Sequence, residues 1–247
     1  MYLSFIFIVV AIHTVLSILS MYGTKKQLDT PVAATEKMKI KNYLVTIALG
    51  CSFLLIVLIM SLVAGISFAD IGLRWLRFDS NIWFTVITLV LCGAVFLFCL
   101  GLLIMNIFST EHRKKTAAVI VANNSSSKRK AVAIPPPHSK KEKILSSVVA
   151  ISTGTTEEFV WRGFMFFTIQ MAFPYLSIIF VVLIPSVLFG IGHMNQGIAG
   201  VVQTTLMGAL FGCLFFATGS LIPGILLHFI VNFHPVFVVT EKNVVAG

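Results

Sequence analysis

Two adjacent carboxylates, an arginine, two histidines and an asparagine are spaced along this chain as amide-hydrolysing equipment would need them to be. Glu157 and Glu158 open the stretch Glu157-Glu158-Phe159-Val160-Trp161-Arg162-Gly163, His193 follows Phe189 by four residues, and Asn232 follows His228 by four. On an α-helix Glu158 and Arg162 share a face, whereas Glu157 and Glu158 diverge. Glu158 and Arg162 are therefore expected to form an ion pair, leaving Glu157 to point into a cavity. Gly163 beside them would let another helix pack close. A carboxylate, two imidazoles and an amide can together activate water and stabilise an oxyanion. Glu157, His193 and His228 could equally hold a divalent metal such as zinc with an open position for water. The residues alone leave both chemistries open. Each spacing is common in ordinary helices; their occurrence in this order on three separate apolar segments carries the signal.

The segments that must position these groups belong to a membrane. The 247 residues are 57% hydrophobic and 11% charged, with a mean hydropathy of +0.98, against roughly 25% charged in an average soluble domain. Apolar runs near the ~20 residues that cross a bilayer as helix predict an all-α, polytopic, multi-pass transmembrane bundle, in the cell membrane if the source is prokaryotic. Charge there is costly: a charged side chain at mid-bilayer costs about 2.5–3.5 kcal/mol on insertion scales, so intramembrane ionisable groups are read first as functional.

The net charge of +9 sits mostly in two loops, which reports topology rather than nucleic-acid binding. Lys25, Lys26, Lys37, Lys39 and Lys41 fall between the first two runs. Arg113, Lys114, Lys115, Lys128, Arg129, Lys130, Lys140, Lys141 and Lys143 fall between the third and fourth. Both loops are read as cytoplasmic. About seven spans follow, with the N-terminus outside and the C-terminus cytoplasmic: 1–22, 43–68, 82–108, 144–172, 175–194, 197–217 and 221–240. Residues 1–108 form a three-span region, 109–143 a basic, Pro- and Ser-containing flexible tether, and 144–240 a four-span catalytic core. Residues 69–78, with Trp75, Arg74 and Arg77, suit the outer membrane surface. His13 is expected to be packed and hydrogen-bonded, and Cys51, Cys92, Cys99 and Cys213 to be small buried hydrophobes.

The three spacings EExxxR, FxxxH and HxxxN resemble those of the CPBP intramembrane proteases, named for CAAX proteases and bacteriocin-processing enzymes and also called Abi proteins. Thr218-Gly219-Ser220-Leu221-Ile222-Pro223-Gly224 and Asp70-Ile71-Gly72-Leu73-Arg74 look like the family's as well. The resemblance implies a peptidase in which Glu157 and His193 activate the attacking water, His228 and Asn232 support the oxyanion, and Glu158 pairs with Arg162. It implies a membrane-embedded or lipidated peptide or protein as substrate. The family has been described both as metalloproteases and as glutamate-dependent, metal-free proteases.

Depth arithmetic sets a condition. At about 1.5 Å per residue from the outer span ends, Glu157 lies roughly 22 Å deep, His193 roughly 27 Å and His228 roughly 10 Å. The groups meet if the last helix starts from a recessed loop, which Gly219 and Pro223 could allow and which is the favoured reading, or if tilts and span ends differ from these. Two readings compete with an endopeptidase: a silent membrane scaffold or immunity factor binding a peptide through the same residues, and an ion or metal transporter. The latter would be expected to show inverted repeats or paired broken helices, and the sequence has no sign of them.

Overall fold

The structure, a computed structural model, describes residues 1–29, 35–112, 114–116, 137 and 139–238, with side chains outside 20–29 and 234–238. Residues 30–34 of the expected 24–42 loop, most of the expected 109–143 loop and the end of the last span lie outside these residues. All regular structure among the described residues is helical: α1 (Tyr2–Asp29), α2 (Glu36–Val63), α3 (Ile82–Phe108), α4 (Lys140–Glu157), a π-helical turn (Glu158–Phe164), α5 (Met165–Ala172), α6 (Ile178–Gly192), a short 3₁₀ turn (Met194–Gln196), α7 (Gly197–Thr218) and α8 (Ile222–Val238).

Local chemistry sets the helix starts. Thr35, Asn81, Ser139 and Ser177 each accept a hydrogen bond from a backbone N–H of the first turn of α2, α3, α4 and α6, as N-cap residues do. Ser139 with Glu142 three residues on has the capping-box spacing. Glu142 has a second role: it meets Lys39 across the starts of α4 and α2, Nζ to Oε2 at 3.5 Å, both side chains buried. Gly219 closes α7 at φ 61°, a left-handed conformation that glycine adopts without the Cβ penalty.

Among the described residues four helices are long and apolar enough to cross a membrane: Tyr2–Leu19, Glu36–Val63, Ile82–Phe108 and Met194–Thr218, with Ile178–Gly192 and Ile222–Phe233 shorter but apolar. Lys140 to Ala172 runs without a break through α4, the π turn and α5. Large apolar side chains such as Leu62, Val63, Leu97, Phe98 and Phe108 face outward, as lipid contact requires. Cys51 is among the outward-facing residues and only Cys92 is fully buried. The expectation of four buried cysteines therefore holds only in part, since an outward apolar side chain costs nothing against lipid.

α4 packs between α2 and α8, α3 lies against α7 and α8, α6 pairs with α7, and α1 runs along α5 and α6. The main core gathers around the π turn, where Val160, Trp161, Phe164, Met165 and Phe166 are all fully buried. Residues 66–80 form turns rather than a helix. Within them Trp75, Leu76 and Phe78 are exposed, whereas Ile71 is wholly buried. A Cβ on Gly163 would come within 2.7 Å of the Ile71 carbonyl oxygen, so the close neighbour that Gly163 admits is this loop's backbone and not a helix.

Candidate active site

The site is assembled where α4 passes into the π turn. A π-helical turn inside an α-helix costs regular hydrogen bonding and is frequent at functional sites; here it contains both partners of the expected ion pair. Arg162 Nη1 donates to Glu158 Oε1 at 2.8 Å, with both side chains at most 2% exposed. The guanidinium lies between two aromatic faces, 4.8 Å from the Phe189 ring centroid and 5.3 Å from that of Phe211. Such stacking suits arginine's weakly hydrated planar cation. Its Nη2 has no partner among the described residues.

α8 brings His228 to both carboxylates. His228 Nδ1 donates to Glu158 Oε1 at 2.8 Å, the oxygen that also receives Arg162, and Nε2 lies 3.3 Å from Glu157 Oε2. Small residues make this approach feasible. A Cβ on Gly154 would touch the His228 ring at 3.4 Å, and one on Gly224 would lie 3.1 Å from Glu158 Oε2. Phe211 packs on the other side of the imidazole, centroids 5.1 Å apart. The separation in depth suggested by counting along straight helices is thus absent: His228 is level with the glutamates. Of the two carboxylates Glu157 is the more accessible, 21% exposed against 1% for Glu158.

His193 stands one ring away from this cluster. The Phe189 ring that faces Arg162 also lies 4.6 Å from the His193 ring. His193 Nδ1 donates to the Phe189 carbonyl at 2.9 Å, so the neutral ring presents Nε2 as its acceptor. Asn232 is half-buried one turn beyond His228 and has no side-chain hydrogen bond among the described residues. The structure therefore unites Glu157, Glu158, Arg162 and His228, and keeps His193 and Asn232 as flanking groups.

Two features were not anticipated. One is the Glu158–His228 bond, which makes Glu158 the orienting carboxylate of an imidazole as well as the arginine's partner. The other is His13 of α1, edge-on to Trp161 at 4.7 Å and pressed against Gly192 beside His193. Its packing matches expectation, yet its Nε2 is buried without a hydrogen-bond partner. A lone histidine on an apolar helix gave no signal of either contact.

Among the described residues no group of three or more His, Cys, Asp or Glu is arranged to hold a metal ion. Glu157 and His228 meet, but no contact brings His193 to either of them, so Glu157, His193 and His228 do not converge as a zinc site in this structure. The chemistry below uses the side chains alone.

A family model described as type II CAAX prenyl endopeptidase Rce1-like matches residues 141–234, in agreement with the resemblance drawn from the three motifs. The matched segment, which is similar to that protease family's domain, contains every residue of the cluster. Neither curated proteins nor solved structures gave a match.

Proposed function

We propose that this chain is a multi-pass intramembrane endopeptidase that hydrolyses a peptide bond in a membrane-anchored peptide, a prenylated C-terminal peptide being the substrate class the matched family's description suggests. One observation carries the reading: His228 sits between a deeply buried, arginine-paired Glu158 and a more accessible Glu157. Two neighbouring carboxylates in different surroundings are suited to different tasks. Glu158, held by Arg162, orients His228 through Nδ1. Glu157 is left to accept a proton.

In the reaction Glu157 takes a proton from water as the water oxygen bonds to the scissile carbonyl carbon. His193 Nε2 orients that water by accepting its second hydrogen. The resulting oxyanion receives hydrogen bonds from the Asn232 amide and from Nε2–H of a His228 ring protonated at both nitrogens, its Nδ1–H staying on Glu158. Collapse breaks the C–N bond and returns the proton from Glu157 to the departing amine, so that one water is consumed and a carboxylic acid and an amine are produced. The test is comparative proteomics of membranes from cells carrying wild type or Glu157→Gln. A peptide truncated only with wild type supports the reading. Identical peptide profiles at equal protein levels count against it.

A further inference from the structure

The turn that delivers α8 to the glutamates is held from outside the family-matched segment, by the loop between α2 and α3. Four hydrogen bonds join them, two in each direction. The Arg77 N–H donates to the Thr218 carbonyl at 2.6 Å and Leu221 N–H to the Gly72 carbonyl at 2.9 Å. Arg74 Nε donates to the Gly219 carbonyl at 2.8 Å, and Ser220 Oγ to the Arg74 carbonyl at 2.6 Å. The Ser220 hydroxyl oxygen also accepts from the Ile222 N–H at 3.3 Å.

These bonds answer a specific need. A helix start leaves backbone N–H groups without intrahelical acceptors, and α8 begins at a buried site where Ser220 and Leu221 are both 1% exposed. Gly72 accepts from the Leu221 N–H just before α8 and Ser220 from the Ile222 N–H, the first of α8, and Arg74 braces the left-handed Gly219 before them. On its inner side the loop is locked by Ile71 against Gly163 of the π turn, the same turn that holds Glu158 and Arg162. One loop thus touches both elements whose separation defines the site.

We propose that residues 72–77 are a clamp that sets the depth and rotation of α8, with Arg74 the central positioning residue for His228. A slip of one residue along α8 moves a side chain by about 1.5 Å and turns it by about 100°, enough to break both of the His228 contacts. Arg74 touches no reacting atom; it acts through Gly219 and the start of α8. The inference rests on the peptidase reading for its catalytic consequence, but the clamp itself is measurable without cleavage.

The experiment uses the full chain in proteoliposomes, with a prenylated fluorogenic peptide as probe and amide hydrogen exchange as a second readout. Arg74→Ala is expected to lower kcat roughly 10- to 100-fold, the scale of an ångström-sized misplacement, with little change in KM. It is also expected to speed exchange at residues 219–225. Arg74→Lys, which retains a donor, should recover part of both. Ser220→Ala serves as the second variant and should act in the same direction. Unchanged exchange and unchanged kcat in Arg74→Ala and Ser220→Ala would overturn the clamp. Absence of cleavage by wild type would speak against the peptidase reading, and the exchange data would still decide whether Arg74 fixes the start of α8.

Discussion

Arg162→Met is the perturbation that most sharply probes why a buried charge cluster is tolerated in this fold. Methionine keeps much of the arginine's length and its contacts with Phe189 and Phe211, and removes only the charge and its donors. Glu158, 1% exposed, then loses its cationic partner and keeps only His228. Breaking a buried pair from one side costs about 3–5 kcal/mol, because the remaining charge is stranded. The loss of the cation–π attraction to the two aromatic faces adds to this, while the retained His228 bond offsets part of it. The net expectation is a loss of about 3–5 kcal/mol, which at roughly 2–4 °C per kcal/mol lowers Tm by roughly 6–20 °C. Removing both charges, as Glu158→Leu with Arg162→Met, should recover much of the loss, since buried pairs often exchange for apolar residues at little cost. Recovery stays incomplete because His228 Nδ1–H is left without an acceptor, at about 1–3 kcal/mol. Thermal unfolding in detergent micelles reads all three variants. A shift under about 1 kcal/mol for Arg162→Met, or a double variant no more stable than the sum of the two single ones, would refute the reasoning.

Gly163→Ala puts a Cβ 2.7 Å from the Ile71 carbonyl oxygen, a backbone neighbour that cannot rotate away; a loss of about 1–3 kcal/mol is expected from such overpacking, read by the same unfolding assay. His193→Ala should lower kcat by about 100-fold or more if it orients the water while leaving Tm close to wild type, and kinetics on the purified variant check this. In the α2–α3 loop the Ser67 hydroxyl and N–H both donate to Asp70 Oδ2, and these bonds hold the Asp70 carboxyl below its ordinary 3.8. Because the folded value is the depressed one, the turn's contribution is present above pH ~3.8 and is lost as pH falls through the lower folded value. An NMR titration of the labelled Asp70 carboxyl should show this midpoint below 3.8, and Ser67→Ala should move it upward.

Parts of this site could be read from residue spacing because they depend on one helix only. Glu158 and Arg162 at i, i+4 predict their own contact, and the diverging Glu157 follows from the same geometry. What the spacing could not supply is tertiary. Counting along a straight helix gives His228 too shallow a depth and so points to a recessed start for the last helix, but it cannot say what holds that start; hydrogen bonds to residues 72–77, far away in sequence, do. The π turn over Glu158–Phe164 was equally invisible, since no residue in that stretch forbids an ordinary α-helix and the distortion accompanies packing of Gly163 on Ile71. Trp75 correctly marked an exposed surface. Ile71, four residues earlier in the same short loop, was legible only once its burial was known.

The most direct test of the central claim is cleavage of a prenylated peptide by the purified protein, wild type against Glu157→Gln, with products identified by mass spectrometry and folding checked by Tm. The account predicts one internal cleavage by wild type and a rate at least about 100-fold lower in the variant, with Tm nearly unchanged because Glu157 is the accessible carboxylate. A Glu157→Gln protein that cleaves at the wild-type rate would contradict it.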